Sequence, residues 1–241
     1  IARTAHDTGL ANPDITDDFI NYHLERAKGG CGLTIMEAAS VHPSSRLHMR
    51  LFGDALVPGY QRLMAAVRPY GMKMFQQLWH GGALYYGYSG IPLAVSNVPS
   101  HMGIVGQPMT DADIEELIDA FVQAALKCQE GGLDGVELHA AHGYLFHQFL
   151  TPAYNTRTDK WGGDFEGRSR FLMETARAVR KAVGPDFAMG VRLSESEAPG
   201  GVSIADNHRL LDMLQGENLI DFVDASLGDY FILDAMVGPM P

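Results

Sequence analysis

The sequence predicts an α/β fold of the (β/α)8 TIM barrel class, and three observations carry that prediction. Five helix-then-strand steps follow one another along the chain; connections from helix to strand are short whereas those from strand to helix are long; and no G-x-G-x-x-G turn follows any strand, as the first βα turn of an open doubly wound sheet normally shows. Long connections in a compact domain are commonly binding or lid segments. Here they leave the C-terminal ends of parallel strands, the face on which barrel enzymes build their sites.

Taken in order, Ile15 to Lys28 is the first helix, capped by Thr16 or Asp14 and ended by Gly29, Gly30 and Gly32, before a strand at Leu33 to Ala39. A second helix, Ala55 to Val67, stops at Pro69-Tyr70-Gly71, and Lys73 to Trp79 follows as a strand. The clearest helix is Asp111 to Glu130. Thr110 can cap it, and Ile114, Leu117, Ile118, Phe121 and Ala125 recur at the spacing of one apolar face. Gly131 and Gly132 end it, and Val136 to Ala140 is the next strand. The remaining steps are helix Phe165 to Val183 with strand Phe187 to Leu193, then helix Ile204 to Leu214 with strand Ile220 to Ala225. Pro69 to Met72 and Gly184 to Asp186 are the short connections; His80 to Thr110 and Ala141 to Asp164 are the long ones. Gly87 to Gly106 is turn-rich, but its Pro92, Pro99 and apolar residues read as an ordered loop rather than a tether.

At 241 residues, the chain is expected to form one domain of soluble composition. A formal charge of -11 argues against a nucleic-acid backbone or an anionic membrane surface as partner, since both call for a basic patch. Only Cys31 and Cys128 are available for disulfides, and Cys128 falls within a helix, so reduced thiols and a cytoplasmic location are expected. No apolar run reaches membrane-spanning length, and Ile1-Ala2-Arg3-Thr4 carries no signal pattern and reads as internal to a longer chain.

Chemistry concentrates after the strand Val136 to Ala140. His139, His142 and Tyr144 crowd its end ahead of a polar loop, which favours a small-molecule site over a satisfied core histidine. A metal site fits poorly, because zinc pairs on helices sit four apart with a nearby third ligand and neither cysteine is placed to help.

The stretch GVELHAAHGYLFHQFLTPAYNTRTDKWGGDFEGRSRF resembles the signature of the old yellow enzyme family of FMN-dependent oxidoreductases, and the likeness extends from about Ala5 to Ser226. It implies a single, incomplete FMN-binding (β/α)8 barrel domain over residues 1–241, covering roughly strands 2 to 6 and beginning after the first. It further implies that Gln77 hydrogen-bonds the pyrimidine edge of the flavin, that Arg192 sits beside flavin N1 and O2, and that Glu37 lies near the flavin. The bland readings are a glutamine satisfied by a neighbour and an internal ion pair; Glu37, Glu137, Arg157 and Arg168 are charged residues able to form such pairs. By the same resemblance NADH or NADPH reduces the FMN. The flavin then passes hydride to the activated C=C bond of an enone, enoate or dienoyl thioester, with His139 and His142 donating to the substrate oxygen and Tyr144 protonating the α-carbon. Arg157, Asp159 and Arg168 are expected to brace the loop after the fourth strand.

Ala83 stands where many members carry arginine, Trp161 replaces a frequent tyrosine, and Gly167 replaces an asparagine. The wording LWHGGA resembles the trimethylamine dehydrogenase branch. An FMN-dependent amine dehydrogenase or demethylase is therefore the alternative, although the stretch around His139 shows no aromatic wall or carboxylate for a cationic amine. A non-catalytic barrel fragment is the third reading, since the family's phosphate-binding residues lie in later strands. The resemblance is also compatible with a homo-oligomer, and with a parent chain extending into iron-sulfur and FAD-binding domains.

Overall fold

The computed structural model describes residues 1–100, 103–195 and 199–228. In chain order its elements are β1 (Ala2–Arg3), α1 (Asp17–Lys28), β2 (Leu33–Ser40), β3 (Met49–Arg50), α2 (Leu56–Val67), β4 (Lys73–Trp79), β5 (Leu93–Ala94), β6 (Gln107–Pro108), α3 (Asp111–Glu130), β7 (Gly135–Ala140), α4 (Leu145–Leu150), α5 (Phe165–Val183), β8 (Ala188–Glu195), α6 (Ile204–Gly216) and β9 (Phe222–Leu227). The main sheet is wholly parallel in the order β1-β2-β4-β7-β8-β9, with β3 pairing off β2.

The sheet is curled. Phe75 of β4 and Phe222 of β9 lie three strands apart, which in a flat sheet is about 14 Å, yet their ring centroids are 5.3 Å apart. Arg192 of β8 likewise reaches across to the carbonyl of Ala5, just past β1, at 3.5 Å. Side chains on the concave face therefore meet one another, and this face becomes the interior of a partial barrel.

The expected bounds of β4, α3 and α5 match the structure, and the other shifts have local causes. Thr16 is the cap of α1, accepting from the Phe19 N–H, so this helix starts after Ile15 and Thr16. β9 starts two residues beyond Ile220 because the Asp221 carboxylate takes the Met189 N–H and Arg180 instead of continuing the ladder. Five of these elements were not expected: β1, β3, β5, β6 and α4. The short β1 adds an edge strand ahead of β2, and α4 lies inside the segment read as loop. Every residue of α4 is buried, so its sequence LFHQFL has no polar face to reveal a helical period. The loop after β4 is ordered by the β5–β6 pair; His101 and Met102 within it lie outside the described residues.

On the outside, α3 buries Ile114, Leu117, Phe121 and Ala125, with Ile118 half-buried. A run of rings from Phe121 through Phe146 and Phe171 to Phe149, with centroids 4.8 to 4.9 Å apart, locks α3, α4 and α5 together. Among the described residues no helix is long and apolar enough to cross a membrane.

Inside, Phe75 and Phe222 form the floor. Gly190 makes room for them, because a Cβ there would overlap the Phe222 ring. We expect Gly190→Ala to destabilise the protein by about 1–3 kcal/mol, the usual cost of overpacking, with Phe222→Leu in the same background recovering part of it. Chemical denaturation checks this; an unchanged midpoint would mean that the floor is not packed as described.

Candidate active site

Above this floor, at the C-terminal ends of the strands, lies a cavity of about 230 Å³ lined by all six residues singled out from the sequence: Glu37, Gln77, His139, His142, Tyr144 and Arg192. Strand register brings them together. Gln77 pairs with Glu137 across β4 and β7, while His139, Arg192 and Asp224 stand level across β7, β8 and β9. Alternation along each strand points these residues to the concave face.

His139 is buried, and burial, reinforced by His142 and Arg192, holds its pKa well below the usual imidazole range. The ring is therefore neutral. Its Nδ1 accepts weakly from the Ala141 N–H at 3.4 Å, so the proton sits on Nε2. His142 occupies the left-handed region at φ 60, held by its N–H donating to Ser194 Oγ at 2.9 Å, and its Nε2 lies 2.7 Å from Ser226 Oγ. The two imidazoles meet edge to face at 5.2 Å. Tyr144 packs edge-on against His139 at 4.9 Å and Trp79 at 5.2 Å, and Tyr85 closes on Trp79 at 4.9 Å. Trp79, Tyr85 and Tyr144 thus make the aromatic wall that the stretch around His139 did not display by itself.

The lower part of the cavity is a polar layer. Gln77 Nε2 donates to Glu137 Oε1 at 2.7 Å. Arg192 is ion-paired, but with Asp224 at 3.2 Å rather than with the carboxylates named from the sequence, and its terminal nitrogens also reach Ser226 Oγ and the Ala5 carbonyl. Glu37 is held instead by the backbone and hydroxyl of Thr8, which partly offset the upward push of burial on its carboxyl. Arg192 Nε and Glu137 Oε2 are buried without a hydrogen-bond partner. A guanidinium with unspent donors beside an amide that can donate and accept suits the edge of a heteroaromatic ring that alternates C=O with N–H and gains negative charge on reduction. The residues present fit a flavin there.

Supporting residues sit where their roles require. Arg157 donates to the carbonyls of Val95 and Met109 and pairs with Asp159, and Arg168 donates to those of Leu150 and Gly163, tying the loop after β7 to its neighbours. Trp161 is buried and donates to Asp111 at 2.7 Å. At Gly167 a Cβ would overlap the Gly162 carbonyl, which accounts for glycine there.

The profile of the NADH:flavin oxidoreductase / NADH oxidase family matches residues 2–235. The chain is 37% identical over 245 residues to an NADH oxidase of Thermoanaerobacter brockii, an alignment that covers 96% of this chain and 37% of that protein. It is 34% identical over 237 residues to a multifunctional alkene reductase/demethylase of Caballeronia cordobensis, covering 95% of this chain and 35% of that one. The fold is similar to that of histamine dehydrogenase from Rhizobium sp. 4-9, with a TM-score of 0.86 at 29% identity over 95% of this chain and 35% of that chain. This chain spans little more than a third of the length of each.

Proposed function

Because this chain belongs to the NADH:flavin oxidoreductase / NADH oxidase family, we propose that it is the flavin- and substrate-binding part of an NAD(P)H-dependent, FMN-linked oxidoreductase that reduces activated C=C bonds. FMN, when bound, supplies hydride transfer between reduced nicotinamide and substrate. Gln77 and Arg192 hold its polar edge. His139 and His142 bind the carbonyl oxygen of an enone, enoate or dienoyl thioester and stabilise the charge that develops there, and Tyr144 delivers a proton to the α-carbon. The single observation supporting this most strongly is that a buried, neutral imidazole and a phenol face one cavity, at 4.9 Å from each other, above the arginine and the amide. Two cysteines that are both buried and free suit a cytoplasmic setting.

A second reading, oxidation of a methylated amine, draws support from the Trp79, Tyr85 and Tyr144 wall with Glu37 nearby, since aromatic faces and a carboxylate suit a cation. The deciding experiment offers the full-length protein, anaerobically, an enone after reduction by NADPH or NADH and, separately, a methylated amine without any donor. We expect the enone to restore the oxidised flavin spectrum and the amine to leave it untouched. Bleaching by the amine alone reverses the ranking, and a protein with no flavin band even after added FMN fits the non-catalytic fragment.

A further inference from the structure

We propose that Glu137 and Asp224 hold one proton between them beneath the cavity and act as positioning residues that keep the positive charge of Arg192 directed at whatever anionic edge binds above it. This rests on the flavin reading just given and adds two residues which that reading does not use. Glu137 is fully buried; one oxygen accepts from Gln77, and the other meets no donor, while the Glu137 carboxyl lies within hydrogen-bonding reach of the Asp224 carboxyl. Asp224, with 9% of its side chain exposed, is 3.2 Å from Arg192 but lacks a well-directed hydrogen bond at Oδ2.

Counting charge decides the matter. The strand residues facing this layer are Glu37 on β2, Gln77 on β4, Glu137 and the neutral His139 on β7, Arg192 on β8, and Asp224 with Ser226 on β9; His6, Asp7, His48 and His142 line the same cavity from the loops. Glu37 is already satisfied by Thr8. Arg192 is thus the one cation among these described strand residues, and it faces two further carboxyls. Both ionised would leave a buried net negative charge, which is costly; one proton makes the trio neutral. Burial is also the leading influence on both carboxyls and pushes each above the usual carboxylate range, with the Gln77 hydrogen bond and Arg192 opposing.

The step is a plain acid dissociation, in which the shared proton goes to solvent base and no electrons move. Below that titration an anionic edge meets Arg192 over a neutral support. Above it, a negative charge lies directly beneath. By linkage, the affinity for reduced flavin falls as pH rises, about tenfold for each unit by which binding raises the pair's pKa.

Infrared spectroscopy of the full-length protein, with and without FMN, reads the proton directly. At pH 7 we expect a carbonyl stretch of a protonated carboxylic acid, shifted in D2O and lost as pH rises. It should vanish in the isosteric Glu137→Gln and also in Asp224→Asn, where Arg192 has a single carboxylate left to neutralise. In parallel, the affinity for dithionite-reduced FMN should fall about tenfold between pH 7 and 9 in the natural protein, and stay level in Glu137→Gln. No such band, or a band that survives both substitutions, overturns the proposal. A protein that shows the band yet binds no FMN overturns the functional reading and leaves the shared proton standing.

Discussion

Replacing Tyr144 with phenylalanine in the full-length protein should slow reoxidation of the reduced flavin by an enone by about 10²- to 10⁴-fold, the usual range for a lost general acid, while reduction by the nicotinamide stays within about threefold. The substitution removes one oxygen and leaves the ring, so the edge-on packing on His139 and Trp79 that shapes this wall is retained. A phenol suits the task because it keeps its proton at neutral pH and yet yields it to a carbanion-like centre. Stopped-flow absorbance separates the two half-reactions. An enone rate unchanged in Tyr144→Phe would remove Tyr144 from the acid's role and leave solvent as the proton source. His139→Ala should act on the same half-reaction through a different term, costing a few kcal/mol as a lost oxyanion donor does.

How far the sequence discloses this molecule depends on whether an element's signal is local. The helix Asp111–Glu130 carries a cap, a one-sided apolar period and a glycine stop in its own residues, and the strand Lys73–Trp79 is bounded by a turn and a long loop, so both are legible without the fold. The helix Leu145–Leu150 is buried on every side and the strand Ala2–Arg3 exists only through its pairing with Leu33 and Thr34, so neither has a pattern of its own. The same division runs through the site. His139, His142 and Tyr144 announce themselves by crowding one strand end. Glu137, Asp224 and Ser226 sit singly among apolar neighbours, and their meeting with Gln77, Arg192 and His142 follows from cross-strand register that no single segment contains. The aromatic wall is hidden for the same reason, since Trp79 and Tyr85 reach Tyr144 only once β4 and β7 lie side by side.

Acid should unfold this protein earlier than its carboxylates alone would suggest, because two histidines outside the proposed chemistry are buried uncharged. Burial, helped by Arg3 and Arg26, lowers the pKa of His23 to about 3, and both of its ring nitrogens lack hydrogen-bond partners where it packs against Phe19. Burial, with His42 adding to it, likewise brings His80 to about 3; its Nδ1 accepts from the Gly82 N–H and its Nε2 meets Ser44 Oγ at 2.8 Å, a pairing that suits the neutral ring. The folded pKa of each lies below the unfolded value, so the unfolded chain binds the proton first. Their contribution to stability is complete above about pH 6.5 and declines as pH falls toward about 3. Through that window each histidine steepens the loss by about 1.4 kcal/mol per pH unit. Glu37, Glu137 and Asp224 oppose it, since raised carboxyl pKa values favour the folded state on acidification. The clean measurement is therefore a difference. Urea unfolding of His23→Phe between pH 6 and 4 should show a slope flatter than that of the natural protein by about one proton's worth. Parallel slopes would mean that His23 takes up its proton in the folded state despite its burial and the positive charges of Arg3 and Arg26, and would overturn this account.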